Sequence, residues 1–73
     1  MSITREQLVE IFTYHAPTPD QVPKYNELRR AALDFSLVIL AQTPACADQS
    51  AAIRHVREAV MTANAAIALA GRI

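Results

Sequence analysis

A single cysteine, Cys46, excludes a disulfide within the chain. Zinc sites need Cys and His at short spacing, whereas Cys46, His15 and His55 are scattered, so neither a structural metal nor any cofactor is expected. An excess of one charge is missing too. Seven basic residues balance seven acidic ones, so no global field draws the protein to polymeric nucleic acid or an anionic membrane, and an anion site must be local. The apolar run Leu37 to Ala41, with Phe35 just ahead, falls far short of the roughly 20 residues that span a bilayer. The opening MSITREQLVE has no apolar core followed by a cleavage site, so no secretion signal is expected and a cytosolic setting is the default.

What is present is an apolar half, 52% of only 73 residues. A globule of this length hides about 60% of the surface its unfolded chain exposes, so its own core is marginal. With disulfides and metals set aside, self-association is the remaining remedy. Thr4 and Gln7 form a capping-box pattern that opens a helix over about 4–13, with Leu8, Ile11 and Phe12 on one face. Residues 14–20, YHAPTPD, make a stiff proline-bearing connector.

A second helix over about 20–42 is expected, with Asp20 as its cap and Pro23 as its third residue. Its stripe is Tyr25, Leu28, Ala32, Phe35 and Ile39, and its last turns, FSLVILA, are apolar nearly all round, which suggests a second contact surface. Thr43 and Pro44 break the chain before a third helix over about 47–70, for which Asp48 is the best side-chain cap. There Ile53, Val56, Val60, Ala63, Ile67 and Ala70 form the seam, alanines flank it, and Gly71 is placed to end the helix in left-handed geometry. The expectation is all-α: one domain, 1–73, with a short N-terminal helix and then a long antiparallel helical hairpin, assembled into a compact homo-oligomer.

Catalytic groupings are poor. Cys46 and His55 are the only nucleophile and base on offer, and one helix holds them about 13 Å apart at about 1.5 Å per residue. Cys46 reads as an inert small residue and His55, between Arg54 and Arg57, as part of a solvated face. Glu6 and Glu10 share an exposed face without metal-binding companions. No enzyme is expected.

Tyr14, His15, Lys24, Tyr25, Arg29 and Arg30 bring phenols, an imidazole and cations together in the connector and the next helix. That suits nucleotides, because bases stack on aromatic faces and Arg or Lys bonds phosphate oxygens, with a helix N-terminus adding N–H groups. The plainer reading makes the tyrosines core edges and the cations solvated, with Glu27 neutralising its neighbours. Asn64, polar among alanines, satisfies a helix contact or fixes oligomer register. Arg72 is either a tail residue or part of a cation ring around a symmetry axis.

The whole pattern, YHAPTPDQVPKYNELR, a Thr-Pro break and REAVMTANAAIA, resembles the phage anti-CBASS cyclic-oligonucleotide sponge family. The most specific pieces are Tyr14-His15-x-Pro17, Gln21, Tyr25-x-x-x-Arg29, and the segment from Ala59 to Ala68 that contains Asn64. The resemblance implies a homohexamer of intertwined trimers that sequesters cyclic dinucleotides such as cGAMP, and cyclic trinucleotides, without cleaving them, in the cytoplasm of the infected bacterial host. It implies pockets between protomers in which an aromatic, matched by Tyr14, stacks on a base while a basic residue, either Lys24 or Arg29, bonds phosphate. A separate trinucleotide site near the end of the last helix commonly uses an arginine where Leu69 stands here, with Arg72 as the available substitute. Cys46 replaces a common serine cap. The competing expectation is a helical homo-oligomeric protein-interaction module with no small-molecule ligand.

Overall fold

A computed structural model describes residues 2–73, and its elements are three α-helices: α1 Arg5–Phe12, α2 Val22–Gln42 and α3 Ala47–Ala68. No strand occurs among the described residues.

The capping box opens α1 as the spacing predicts. The Gln7 N–H donates to Thr4 Oγ1 at 3.1 Å and the Thr4 N–H donates to Gln7 Oε1 at 2.9 Å, so two otherwise orphaned donors are met at once. At the other end the Thr13 hydroxyl donates to the Val9 carbonyl at 2.6 Å.

The entry to α2 differs from the expectation. Gln21, not Asp20, is the cap residue, it makes no side-chain cap bond, and helix geometry begins at Val22 with Pro23 in the first turn. Asp20 is diverted by a closer partner: the Thr18 hydroxyl donates to its carboxylate at 2.6 Å. The turn is closed instead by the Thr18 carbonyl, which accepts from the N–H of Gln21 at 3.0 Å and of Val22 at 3.3 Å.

Thr43, extended ahead of Pro44, ends α2, as the ring of a following proline requires. Cys46 caps α3 by backbone geometry with no side-chain bond, and Asp48 lies inside the first turn instead of capping it. There its carboxylate faces the positive end of the helix dipole.

The last turn also departs from expectation. α3 ends at Ala68, and the first left-handed residue is Ala70 at φ 52°, followed by Gly71 at φ 72°. The Gly71 N–H donates to the Ala66 carbonyl at 3.2 Å and the Ala70 N–H to the Ile67 carbonyl at 3.1 Å, the paired bonds of a Schellman ending.

Among the described residues α2 and α3 are the only helices that pack on one another, and α1 packs on neither. They run antiparallel: Gln21 Nε2, at the start of α2, donates to the Ile67 carbonyl near the end of α3 at 3.3 Å, and Gln49 Nε2 bridges to the Thr43 carbonyl at 3.1 Å across the turn. Tyr25, Leu28, Ala32, Ser36 and Ile39 are half-buried against Ile53, Val56, Val60, Ala63 and Ile67. Ser36 takes the place expected of Phe35, which points outward at 58% exposure. The small side chain at the seam lets the helix axes approach while the ring is left outside. Ala70, expected on the seam, is exposed in the closing turn.

No side chain among the described residues is fully buried. The radius of gyration is 15.4 Å, with extents of 45 × 31 × 17 Å, against about 11 Å for a compact domain of this length. The hairpin is an open, two-helix layer with no interior of its own.

Candidate binding site

The connector places Tyr14 in solvent. Its side chain is 83% exposed, which removes it from any core of the lone chain, whereas Tyr25 sits half-buried on the α2 seam. The two phenols therefore divide the readings open at the sequence level, one free and one structural. His15 holds the connector down: its Nε2–H donates to the Glu10 carbonyl at 2.8 Å, an acceptor that can only be met by the Nε2-protonated ring. With His15 turned back onto α1, the neighbouring ring of Tyr14 projects from a fixed point.

The cations of α2 are separated by helix geometry. Five residues of α-helix turn through about 500°, which puts Lys24 and Arg29 about 140° apart around the axis. They border different grooves of the hairpin. Lys24 lies beside Glu27, Leu28 and Ile67 in an open groove of about 390 Å³, so a carboxylate shares the groove with it. Arg29 borders a groove of about 310 Å³ between α2 and α3 that also holds Leu33, Val60, Met61 and Arg57, and no carboxylate. Arg29 itself makes one polar contact, Nη1 donating to Asn26 Oδ1 at 3.3 Å. Arg30 turns away to Asp34, 3.9 Å off, both highly exposed, an arrangement worth little energy.

One turn before Ile67, Asn64 is half-buried and its Oδ1 is shielded from solvent without a hydrogen-bond partner. An orphaned acceptor costs about 1–3 kcal/mol, so a donor from outside the chain is favoured there. Arg72 is engaged: its guanidinium pairs with the Glu10 carboxylate, tying the C-terminal turn to α1. Leu69, half-buried, occupies the cap of α3. His55 Nδ1 lies 3.5 Å from Glu58 on the surface, and the ring borders a third groove, about 400 Å³, with Phe35 and Ile39. Cys46 is exposed at the start of the same helix.

The profile of the family described as Acb2/Tad1, hairpin domain, matches residues 5–68. The chain belongs to this family. It is the anti-CBASS protein 2 family, and membership carries, at the coarse level, cyclic-oligonucleotide binding in phage evasion of CBASS immunity. No curated protein and no solved structure matches the chain. The family span takes in Tyr14, His15, Gln21, Lys24, Arg29, Arg30 and Asn64, while Arg72 lies beyond it. Gln21 is one of the motif residues, and its part is architectural: Oε1 accepts from the Thr18 N–H at 3.0 Å while Nε2 reaches Ile67. No helix among the described residues is long and apolar enough to cross a membrane.

Proposed function

We propose that the protein is a cyclic-dinucleotide sponge, a homo-oligomer of the hexameric kind, that sequesters messengers such as cGAMP in the cytoplasm of the infected host without cleaving them, so that CBASS effectors stay inactive. Binding sites form between copies, with Tyr14 of one copy stacking on a base and Arg29 bonding a phosphate. The observation that carries the reading is the solvent-exposed ring of Tyr14 on a connector stiffened by Pro17 and Pro19. Such a ring offers a pre-set stacking face, worth about 1–3 kcal/mol per base.

Arg29 is preferred to Lys24 for the phosphate because its groove lacks a carboxylate whereas that of Lys24 contains Glu27. A guanidinium also presents a planar fork to a phosphodiester. Two copies related by a twofold axis present the same ring and cation twice, which suits the near symmetry of a cyclic dinucleotide. The unmet acceptor of Asn64 supports a contact there with another copy or with a second, trinucleotide ligand; Arg72, paired to Glu10, reaches such a ligand only after leaving that carboxylate.

Native mass spectrometry and calorimetry with a panel of cyclic dinucleotides test this. Tyr14→Ala and Arg29→Ala are expected to weaken binding at least tenfold, about 1.4 kcal/mol each, with the oligomer intact, while Lys24→Ala weakens it less. An oligomer that takes up no ligand would instead establish a protein-interaction module. Intact nucleotide recovered after heating the complex marks a sponge, and linear products mark an enzyme.

A further inference from the structure

Among the described residues Glu10 alone joins α1, by hydrogen bond or ion pair, to the far end of the hairpin. Its carboxylate pairs with the guanidinium of Arg72, 62 positions along the chain. Its carbonyl lies in the last turn of α1, where a carbonyl has no helical partner, and accepts the Nε2–H of His15 at 2.8 Å. α1 packs on neither of the other helices, so the place of α1 and of the connector's first residues relative to α3 depends on this one pair. The turn after α3 is shaped to make it. Ala70 and Gly71 both hold left-handed backbone angles, φ 52° and 72°, and the Arg72 N–H donates to the Leu69 carbonyl at 3.0 Å. Left-handed geometry is strained at an alanine, and such strain persists where the surrounding structure requires the direction it sets. Here that direction brings a guanidinium onto the Glu10 carboxylate. The side chains of Arg72 and Glu10 are 52% and 36% exposed, and a pair so open to water adds little to the stability of the chain. Its consequence is positional.

We infer that Arg72 and Glu10 are positioning residues for the base-stacking ring of Tyr14. The ion pair fixes α1 against the end of α3, the Glu10 carbonyl fixes His15, and His15 fixes its neighbour Tyr14. This role rests on the assignment of Tyr14 to the base. A ring held at one place relative to the hairpin loses less freedom on stacking than a ring carried on a loose helix, so pre-organisation is read as affinity. Neither Arg72 nor Glu10 touches the cyclic dinucleotide.

Calorimetric titration of the full chain with 3′,3′-cyclic GMP-AMP tests the role. Arg72→Gln and Glu10→Gln are each expected to weaken binding about threefold, the scale of a partly exposed ion pair. The shared sign is decisive, because the ligand is a dianion: removing a carboxylate acts through its field to tighten binding, whereas loss of positioning weakens it. Arg72→Lys, which keeps a charge opposite Glu10, is expected to lose less than Arg72→Gln. In a Tyr14→Ala background either Gln substitution is expected to cost nothing further, since the ring it positions is gone. Tighter binding in Glu10→Gln, or a loss from Arg72→Gln that persists in full without the Tyr14 ring, overturns the inference and makes Arg72 a direct or long-range attraction for the ligand. Parent-like affinity in both Gln variants alongside lost affinity in Tyr14→Ala also overturns it and leaves the assignment of the ring standing. Parent-like affinity in Tyr14→Ala, or failure of the unmodified protein to bind the probe, removes that assignment and the positioning role with it. If a single variant loses helical circular dichroism, the exchanged pair, Glu10→Arg with Arg72→Glu, supplies the reading: recovered affinity supports the role, and affinity no better than that of the folded single variant overturns it.

Discussion

Ala70 holds a left-handed backbone angle, φ 52°, which costs an L-residue about 1–2 kcal/mol because Cβ crowds the following carbonyl. The helix ends there because the Schellman bonds need a left-handed residue at that position, and the one glycine of the chain stands one place later. Ala70→Gly is therefore expected to stabilise the protein by about 0.5–1 kcal/mol after the larger unfolded-state entropy of glycine is deducted. Gly71→Ala is expected to lose a similar amount purely through the backbone, since a Cβ there meets nothing within 4 Å. Urea melts of both variants at one fixed protein concentration check the signs. Asp20 carries the pH dependence at this scale. The Thr18 hydroxyl, then its own backbone N–H and Lys24, hold its carboxyl below the ordinary 3.8, against a small opposing effect of burial. A carboxyl depressed in the folded state contributes stability above its unfolded value and loses it as pH falls through the folded one. The melting-temperature gap between the parent and Asp20→Asn is thus expected to be constant above about pH 5 and to close below 3.8. A gap that persists unchanged in acid would show that the Thr18 contact is not carried by the ionised form.

At the scale of elements, the features legible in the sequence were those that depend on residues within one turn of each other. The box of Thr4 and Gln7 was readable because both partners sit in a fixed four-residue pattern that has one good geometry. Asp20 was misread because Thr18 competes for the same carboxylate, and the outcome turns on where the connector aims that hydroxyl. The stripe of α2 was read through Phe35, since steps of three and four from Ala32 allow either 35 or 36 and hydrophobicity favours the ring. Packing reverses that choice, because a seam against α3 has room for a serine. The site shows the same division. The free ring of Tyr14 and the cations of α2 stand in one contiguous motif, but separating Lys24 from Arg29 needs the position of Glu27 relative to a groove. The weakest element is α1, eight residues long, held by His15 and by the pairing of Arg72 with Glu10 instead of by packing. Isolated helices of that length fray in water, so its order depends on what covers it.

The whole molecule exposes 5929 Å², about 1,500 Å² more than the roughly 4,450 Å² expected of a compact monomer of 8.0 kDa. Much of the excess is apolar: Leu33, Phe35, Leu37, Val38 and Leu40 are each more than half exposed along the second half of α2. Covering such a patch at about 25 cal/mol per Å² supplies a large driving force for association, and nothing inside the chain covers it. Leu37 and Leu40, three residues apart, share one side of the helix and border none of the described grooves. Glutamate at both positions costs little in a lone hairpin, where the side chains already face water, and costs several kcal/mol wherever another copy would desolvate the carboxylates. The expectation for Leu37→Glu combined with Leu40→Glu is a fall to a monomer in sedimentation equilibrium at micromolar concentration, with a lower melting temperature that no longer rises with protein concentration. Cyclic-dinucleotide binding is expected to disappear with the oligomer, because Tyr14 and Arg29 then lack the second copy that closes the pocket. A monomeric variant that retains full affinity would show that each hairpin carries a complete site, whereas an undisturbed oligomer would place the interface on another face of α2.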